Sequence, residues 1–392
     1  MSGEPATSFS AAAVKRGAEW LRGLGSNADV VVSSRVRLAR NITGFPFLSK
    51  ASRQHRQGIV DVCRERLLGS DIAGQMLWVD VHTAPTLDRT LMVERHLISK
   101  EHARGGPLPQ VAGAQTSKPA AEPDAEERTT SAALPRGVAI SLPDETLSIM
   151  VNEEDHLRLQ VLRSGLELTS ALEHINRVDD LIEGPCGKTG KKLEYAFSPR
   201  FGYLTACPTN VGTGIRVSVM LHLPALKLVG EMDKVRRATK DMSLAVRGYY
   251  GEGSEAAGEF YQFSNQTTLG RTEAEILREF EQEIIPPVIK YEREARRKML
   301  ESRRKLLEDK VFRALGTLRH ARLLTPEESI SLLSDVRLGI VTGLIRDVSE
   351  QAVNQLILLT QPAHLQRVLV REMDQGQRRE ARAEMVREKL AI

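Results

Sequence analysis

A change of hydrophobic period near Arg271 constrains the fold of this chain more than any other feature. Upstream of it, short apolar runs are punctuated by turn residues. Val138-Ala139-Ile140-Ser141-Leu142 and Leu147-Ser148-Ile149-Met150-Val151, separated by Pro143-Asp144-Glu145, predict a β-hairpin. Tyr203-Leu204-Thr205-Ala206 predicts a strand running into Cys207, and Arg216 to Leu223 alternates well enough to predict another. Between them, Leu and Val recur at helical spacing from Arg158 to Leu172, which predicts a helix. Downstream, Glu273 to Glu308 carries alternating charges and few turn signals, the pattern of a long solvated helix. Thr325-Pro326-Glu327-Glu328 reads as a helix start: Thr325 can cap, Pro326 suits the first position, and Glu328 can reach back in a capping box. Leu344 to Leu359 and Gln366 to Leu390 extend the helical part. A strand-rich unit over 1–290 followed by an all-helical unit over 291–392 is therefore expected, with no internal repeat.

With 392 residues the chain is long enough for two or more domains. Aromatic residues make up only 4%, so its cores must be built from Leu, Val, Ile and Ala. A net charge of +4 is too mild to argue for nucleic acid. Cys63, Cys186 and Cys207 are odd in number and widely spaced, which speaks against a disulfide framework or a structural zinc site and for a reducing compartment. No apolar leader or run of membrane-spanning length is present, so a soluble cytoplasmic protein is expected. The stretch 105–136 is rich in Ala, Pro, Gly, Thr and Glu without periodicity and reads as a flexible insertion. A second insertion, 184–191, contains Gly-Lys-Thr. A phosphate loop would need glycine at position 182, which is Ile182, so a basic surface turn is the better reading.

Chemistry concentrates in four segments: Ser33-Ser34-Arg35-Val36-Arg37, Asn152-Glu153-Glu154-Asp155-His156-Leu157-Arg158, Cys207-Pro208-Thr209-Asn210-Val211-Gly212-Thr213-Gly214-Ile215-Arg216, and Arg247-Gly248-Tyr249-Tyr250-Gly251-Glu252-Gly253. A guanidinium fork grips phosphate oxygens bidentately. Carboxylates suit a cationic acceptor and can take a proton from it. Taken singly, each residue has a plainer explanation. An arginine is usually a surface charge, a lone histidine is usually structural, a cysteine is often buried and inert, and an acidic run often opens a helix. Arginines, carboxylates and a cysteine combined in these segments point to phosphoryl transfer onto a guanidinium.

These segments, in this order, closely resemble the guanidino (phosphagen) kinase family from about Asp29 to about Lys290. Members that act on small guanidino compounds carry a helical domain before the catalytic part. Here that domain is absent and a helical region follows instead, a layout similar to the bacterial protein-arginine kinases (McsB type). The resemblance implies an α+β catalytic domain, an antiparallel sheet flanked by helices, followed by an all-helical C-terminal domain that dimerises. Leu332, Leu333, Leu344, Leu356 and Leu358 could equally be a private core of that domain. It implies ATP and Mg²⁺, with no metal-ligating side chains, and a phosphate cage of Arg35, Arg37, Arg158, Arg216 and Arg247. The nucleotide segments it implies also include Ser33, Ser34, Val36, His96, Val217, Ser218, Val219, Met220, Gly248, Tyr249, Tyr250 and Gly251. Glu154 and Glu252 match the catalytic carboxylates, Cys207 the reactive cysteine, and Asp155 an accessory acid. A C-terminal Arg-Asp-x-x-Arg-Ala motif forms a phosphoarginine pocket in these kinases. Here it reads Arg378-Arg379-Glu380-Ala381-Arg382-Ala383, so Arg378 and Arg382 match while Arg379 replaces the acid. The implied partners are proteins with exposed arginines, an activating adaptor, proteolytic chaperone machinery and a second copy of the chain, with neither nucleic acid nor membrane. The expected role is to mark proteins for regulation or degradation. The alternatives are a small-molecule guanidino kinase and a catalytically weak phosphoarginine-binding adaptor. The absent N-terminal domain disfavours the first, and the Glu154, Cys207 and Glu252 set disfavours the second.

Overall fold

Val31–Arg40 (β1) is buried along nearly its whole length because it lies in the middle of a sheet covered on both sides. The remaining strands are Met76–Val79 (β2), Gly137–Ser141 (β3), Leu147–Val151 (β4), Leu157–Ser164 (β5), Phe197–Ser198 (β6), Gly202–Tyr203 (β7), Ile215–His222 (β8), Leu244–Gly248 (β9) and Phe260–Asn265 (β10). Eight of them form one sheet in the order β2-β3-β4-β5-β1-β8-β10-β9, and every neighbouring pair is antiparallel. The computed structural model describes residues 14, 18–69, 72, 74–104, 134–185, 190, 192–249 and 257–391. Of the two expected insertions, 105–133, 186–189 and 191 lie outside the described residues.

On one face of the sheet, Val36, Leu38, Leu159, Val161, Val217 and Val219 pack against Leu168, Ala171, Ile175 and Val178 of the Leu168–Glu183 helix and against Ile59, Cys63 and Leu67 of the Arg53–Gly69 helix. Each fully buried Val or Leu there contributes roughly 1.5–3 kcal/mol. The expected β3–β4 hairpin is present. The helix expected over Arg158–Leu172 is not. The chain stays extended to Ser164, turns at Gly165 (φ +72°), and becomes helical only at Leu168. A Cβ on Gly165 would lie 2.7 Å from the Leu24 carbonyl, so the turn requires glycine. Leu162 is apolar on the face opposite Leu159 and Val161, which blurs the two-residue period of a central strand. The strand expected over Tyr203–Ala206 is reduced to a two-residue pairing with β6, whereas β8 forms as expected.

The segment Glu273–Glu308 is not one solvated helix. It comprises Glu273–Arg278, a π-helical turn Glu279–Ile284, Ile285–Ser302, and the start of Arg304–His320 after a break at Arg303. Pro286 and Pro287 lack N–H groups for the preceding turn, which loosens the helical ladder at that point. Ile276, Phe280, Ile284, Ile285, Ile289 and Met299 are buried, so the charged pattern belongs only to the outer side.

The helices Arg304–His320, Pro326–Val341, Glu350–Leu359, Pro362–Leu369 and Gln375–Lys389 gather around their own core. Leu333, Leu356 and Leu358 are fully buried in it, with Leu332 and Leu344 partly buried against it. The capping box is formed as expected: Thr325 Oγ1 accepts from the Glu328 amide at 3.1 Å, and Glu328 Oε2 accepts from the Thr325 amide at 3.4 Å. This core also takes in Trp20, Leu162, Met220, Tyr249 and Phe260, so the helical part is packed onto the second face of the sheet. A buried polar seam joins them. Arg337, 1% exposed, donates to the carbonyls of Ala28 and Asp29, to Glu350, and to His222 Nδ1 at 2.8 Å. His222 Nε2 in turn contacts Ser334 Oγ at 2.8 Å. Among the described residues no helix is long and apolar enough to cross a membrane, and Cys63 and Cys207 are unpaired.

Candidate active site

The second face of the sheet carries the site. Alternation along β1 sends Ser33, Arg35 and Arg37 to this face. Register then aligns Arg37 with Gln160 of β5 and Arg216 of β8, Arg35 with Leu162 and Ser218, and Ala39 with Arg158. Arg247 of β9 lies beyond, opposite Gln262 of β10, which is itself opposite Met220. Arg35, Arg37, Arg158, Arg216 and Arg247 are thus gathered on one surface. Burial, followed by the charges of Arg158, Arg216 and Arg247, lowers the Arg35 pKa to about 9. Burial and the same neighbours, with Arg35 added, hold Arg37 well below its ordinary value. Arg35 Nε donates to Ser218 Oγ at 3.2 Å. Arg37 Nε and Nη2 are buried and have no hydrogen-bond partner among the described residues. Like charges opposed across strands are destabilising, and so are unpaired buried donors. A polyanion such as a nucleotide phosphate chain supplies what both lack, so the residues present fit that ligand.

Ser34, Val36, Val217 and Val219 do not present their side chains to this surface, although the resemblance implied a nucleotide role for their segments. The two-residue period of the strands turns them to the other face. Val36, Val217 and Val219 are fully buried in the helix-covered core. Ser34 Oγ donates to the Gly165 carbonyl at 2.7 Å and accepts from the Glu167 amide at 3.0 Å. Ser33, Arg35, Ser218 and Met220 do line a narrow cavity on the site face, together with His96, Leu162 and Gln262. His96 holds a left-handed backbone (φ +59°), and its ring meets Trp20 edge-on at 4.7 Å and Tyr249 at 5.6 Å. Burial first, then Arg35 and Lys100, push its pKa down to about 3, so the ring is neutral. Gly248 pairs with Tyr261 at the end of β9. Tyr250, Gly251 and the expected catalytic Glu252 lie outside the described residues.

Residues 152–156 connect β4 to β5 as a tight turn, not as the start of a helix. Asn152 takes φ +63° and its amide donates to the His156 carbonyl at 3.0 Å. Glu153 turns inward. Its Oε1 accepts from Arg158 Nη1 and from Ser99 Oγ, both at 2.6 Å, and its Oε2 accepts from the Glu154 amide at 3.0 Å. Burial opposes its ionisation, but Arg158 beside it prevails and draws its pKa down to about 2. Burial likewise acts to lower the Arg158 pKa, and Glu153 outweighs it. Glu154 reaches the solvent side. Partial desolvation, then the charges of Asp155 and Glu153, raise its pKa, which suits a proton acceptor.

Asp155, expected as an accessory catalytic acid, is 2% exposed and is engaged by a backbone amide and a neighbouring side chain. Its Oδ1 accepts from the Ala206 amide and from Asn41 Nδ2, both at 2.6 Å, which fastens the approach to Cys207 beside the acidic turn. Asn41 Nδ2 also donates to the Leu204 carbonyl at 3.0 Å. Arg40 lies 3.6 Å over the Tyr203 ring and pairs with Asp179 at 2.7 Å, so the β6–β7 hairpin is rigidly mounted. Cys207 is partly exposed, with Sγ 3.0 Å from Thr209 Oγ1. Glu153, Ser99, Asn41 and Gln160 were not anticipated as site residues. Glu153 was legible from its place between Asn152 and Glu154, whereas the others become neighbours only through the fold. Among the described residues no group of three or more His, Cys, Asp or Glu is arranged to hold a metal.

In the helical part, Arg378 and Arg382 were expected to grip phosphate together, and they do not act alike. Arg378 lines a cleft of about 530 Å³ with Thr86, Thr90, Gln366, Glu372 and Asp374. Arg382 is 1% exposed and donates to the carbonyls of Thr360 (2.6 Å), Leu324 (2.9 Å) and Arg378 (3.2 Å), which ties helix ends together. One turn of helix carries Arg382 inward while Arg378 stays at the rim. Arg379 is exposed.

Residues 59–295 match the ATP:guanido phosphotransferase C-terminal catalytic domain, and residues 304–392 match the C-terminal domain of the protein-arginine kinase McsB. The protein-arginine kinase of Symbiobacterium thermophilum is 40% identical over 95% of this chain and 96% of its own length. That of Halothermothrix orenii is 39% identical over 95% and 96%. The crystal structure of lombricine kinase superposes with a TM-score of 0.53 at 23% identity, covering 74% of this chain and 72% of that one, a likeness of fold. The chain belongs to the protein-arginine kinase family of ATP:guanido phosphotransferases.

Proposed function

We propose that this protein transfers the γ-phosphoryl group of ATP to the guanidinium of arginine side chains in proteins. The observation that carries the proposal is the partly buried arginine surface on β1, β5, β8 and β9, which ends at the acidic turn holding Glu154. Arg35, Arg37, Arg158, Arg216 and Arg247 neutralise the phosphate chain and hold it in line with the acceptor. A guanidinium nitrogen attacks the γ-phosphorus, an N–P bond forms, the bond to the ADP oxygen breaks, and Glu154 takes the proton released from nitrogen. Glu252, by family resemblance, is the second carboxylate that orients the guanidinium. Cys207, by the same resemblance, steadies the acceptor. Mg²⁺ bound with the nucleotide would offset the charge of the phosphate chain, in addition to what Arg35, Arg37, Arg158, Arg216 and Arg247 supply.

Arg378 is proposed as the phosphate-facing residue of a phosphoarginine cleft in the helical part. The acidic neighbours Glu372 and Asp374 suit the guanidinium end of that ligand. The family resemblance further supports a division of labour near residue 290, a cytoplasmic homodimer, an activating adaptor, proteolytic chaperone partners and a role in regulation or degradation. The test of the main proposal is incubation of the purified chain with ATP, Mg²⁺ and a mixture of folded proteins, followed by mass spectrometry at neutral pH. Acid-labile phosphate on protein arginines is expected. Phosphate on free arginine but never on protein would overturn it.

A further inference from the structure

We propose that His364, from the helical part, is a positioning residue for the nucleotide site of the catalytic part. The proposal rests on the reading that the arginine surface holds ATP. Glu94, Arg95 and His96 are consecutive, and each does a different task. The Glu94 carboxylate is buried against the first turn of the Pro362–Leu369 helix, where it accepts from the amides of Ala363 (2.8 Å) and His364 (3.0 Å) and from His364 Nδ1 (2.7 Å). A carboxylate at a helix N-terminus also gains from the helix dipole. The other ring nitrogen, His364 Nε2, accepts from Arg95 Nη1 at 3.2 Å, and Arg95 Nε donates to Glu145 at 2.7 Å. The His364 ring is fully buried and spans Glu94 and Arg95 as a neutral bridge.

His96, the next residue, carries the consequence. A non-glycine residue at φ +59° is conformationally costly and persists only where its surroundings hold it. Gln160 Nε2 holds its carbonyl from β5, and the Trp20 indole donates to the Arg95 carbonyl at 3.3 Å. The His96 ring then forms a wall of the cavity shared with Arg35 and Ser218. An ion pair between Arg367 and Asp88 also ties the Pro362–Leu369 helix to the Thr86–Glu94 helix, which ends at Glu94. Besides the shared apolar core, the helical part thus reaches the nucleotide wall by a polar route, in which the His364 ring holds Arg95 and His96 in register.

The experiment uses the full chain in a Trp78→Phe background, which leaves Trp20, packed on His96, as the one tryptophan. ADP binding is followed by Trp20 fluorescence, and KM values are measured separately for ATP and for a protein acceptor. His364→Ala is expected to weaken ADP and raise the KM for ATP about tenfold or more, because small displacements of binding groups are costly. The acceptor KM should change less than twofold, roughly, since the acidic turn is held by other bonds. His364→Gln, which can still donate to Glu94 and accept from Arg95, should recover most of the loss. Unchanged ADP affinity and ATP KM, with only a lower melting temperature, would reduce His364 to a packing residue and overturn the proposal. Should His364→Ala fail to fold, Glu94→Gln takes its place with the same two outcomes. Arg37→Ala is run alongside: if it leaves ATP turnover intact, the nucleotide reading itself fails, a result separable from a failure of His364.

Discussion

At the scale of single residues, the acidic turn divides four functions among neighbours by giving each a different environment. Glu153 is tied to Arg158, Glu154 reaches solvent, Asp155 holds the Ala206 amide, and His156 Nδ1 accepts from the Ile42 amide at 3.0 Å. Glu154→Gln should lower turnover by orders of magnitude with ATP affinity little changed, since it removes the proton acceptor and no phosphate contact. Glu153→Gln should lower turnover and also weaken ATP, because it disturbs Arg158 and Glu154 together. Steady-state kinetics on both variants separates the two roles, and an identical pattern in both would refute the division. The raised Glu154 pKa adds a pH test. A base must be deprotonated to act, so the acid limb of kcat should lie above that of an ordinary glutamate. Asp155→Asn keeps the acceptor for Ala206 and removes the second-ranking cause of the shift after desolvation, so it should move that limb to lower pH. A limb that stays in place in Asp155→Asn would remove Glu154 as the titrating group.

At the scale of elements, β1 shows how one strand serves both stability and function. Val36 and Leu38 anchor it in the core, while Arg35 and Arg37 face the site. Arg37 should therefore be a liability without nucleotide. Arg37→Met is expected to stabilise the nucleotide-free protein by roughly 1–3 kcal/mol, because it removes buried unpaired donors and like-charge repulsion. It should also abolish the rise in melting temperature that ADP gives the parent. Urea titrations check the first half and thermal melts with and without ADP the second, and a destabilised variant would mean that Arg37 is already satisfied. The same two-faced design explains what could be read in advance. The β3–β4 hairpin, β8 and the Thr325 cap are written in local chemistry and were legible. The arginines were legible as a set because motif and alternation both select them. Ser34, Val36, Val217 and Val219 were drawn in by adjacency within motifs, which ignores the face a strand presents. The stretch Arg158–Leu172 looked helical because Leu162 of a central strand is apolar toward a second layer that only the fold supplies. The depth at which Arg382 lies was not legible, because a motif records spacing and not burial.

At the scale of the whole molecule, the helical part is not a detachable appendage. Its core takes in Trp20, Leu162, Met220, Tyr249 and Phe260 from the site face of the sheet, and its Arg337 fills a fully enclosed seam with His222. In that seam His222 Nδ1 accepts from Arg337, so Nε2 carries the proton and donates to Ser334 Oγ. Burial first, then Arg337 and Arg296, hold the His222 pKa well below its ordinary value of 6.5. The linkage sign follows from that depression. Below pH 6.5 the unfolded chain binds a proton at this histidine and the native chain does not, so stability is lost as pH falls through that value. His96 and His102, lowered to about 3 and about 4, act in the same direction. Each adds up to ~1.4 kcal/mol of stability loss per pH unit over its own window. Denaturant midpoints should therefore fall steadily from pH 7 to pH 5, before most carboxylates titrate. His222→Gln can accept from Arg337 and donate to Ser334 without binding a proton, so its midpoints should fall less steeply over the same range. Because the seam joins both parts, parent and variant should each unfold in a single transition. Equal pH slopes in the two proteins would show that His222 does not carry the effect, and a split transition in the parent would show that the two parts are energetically separate.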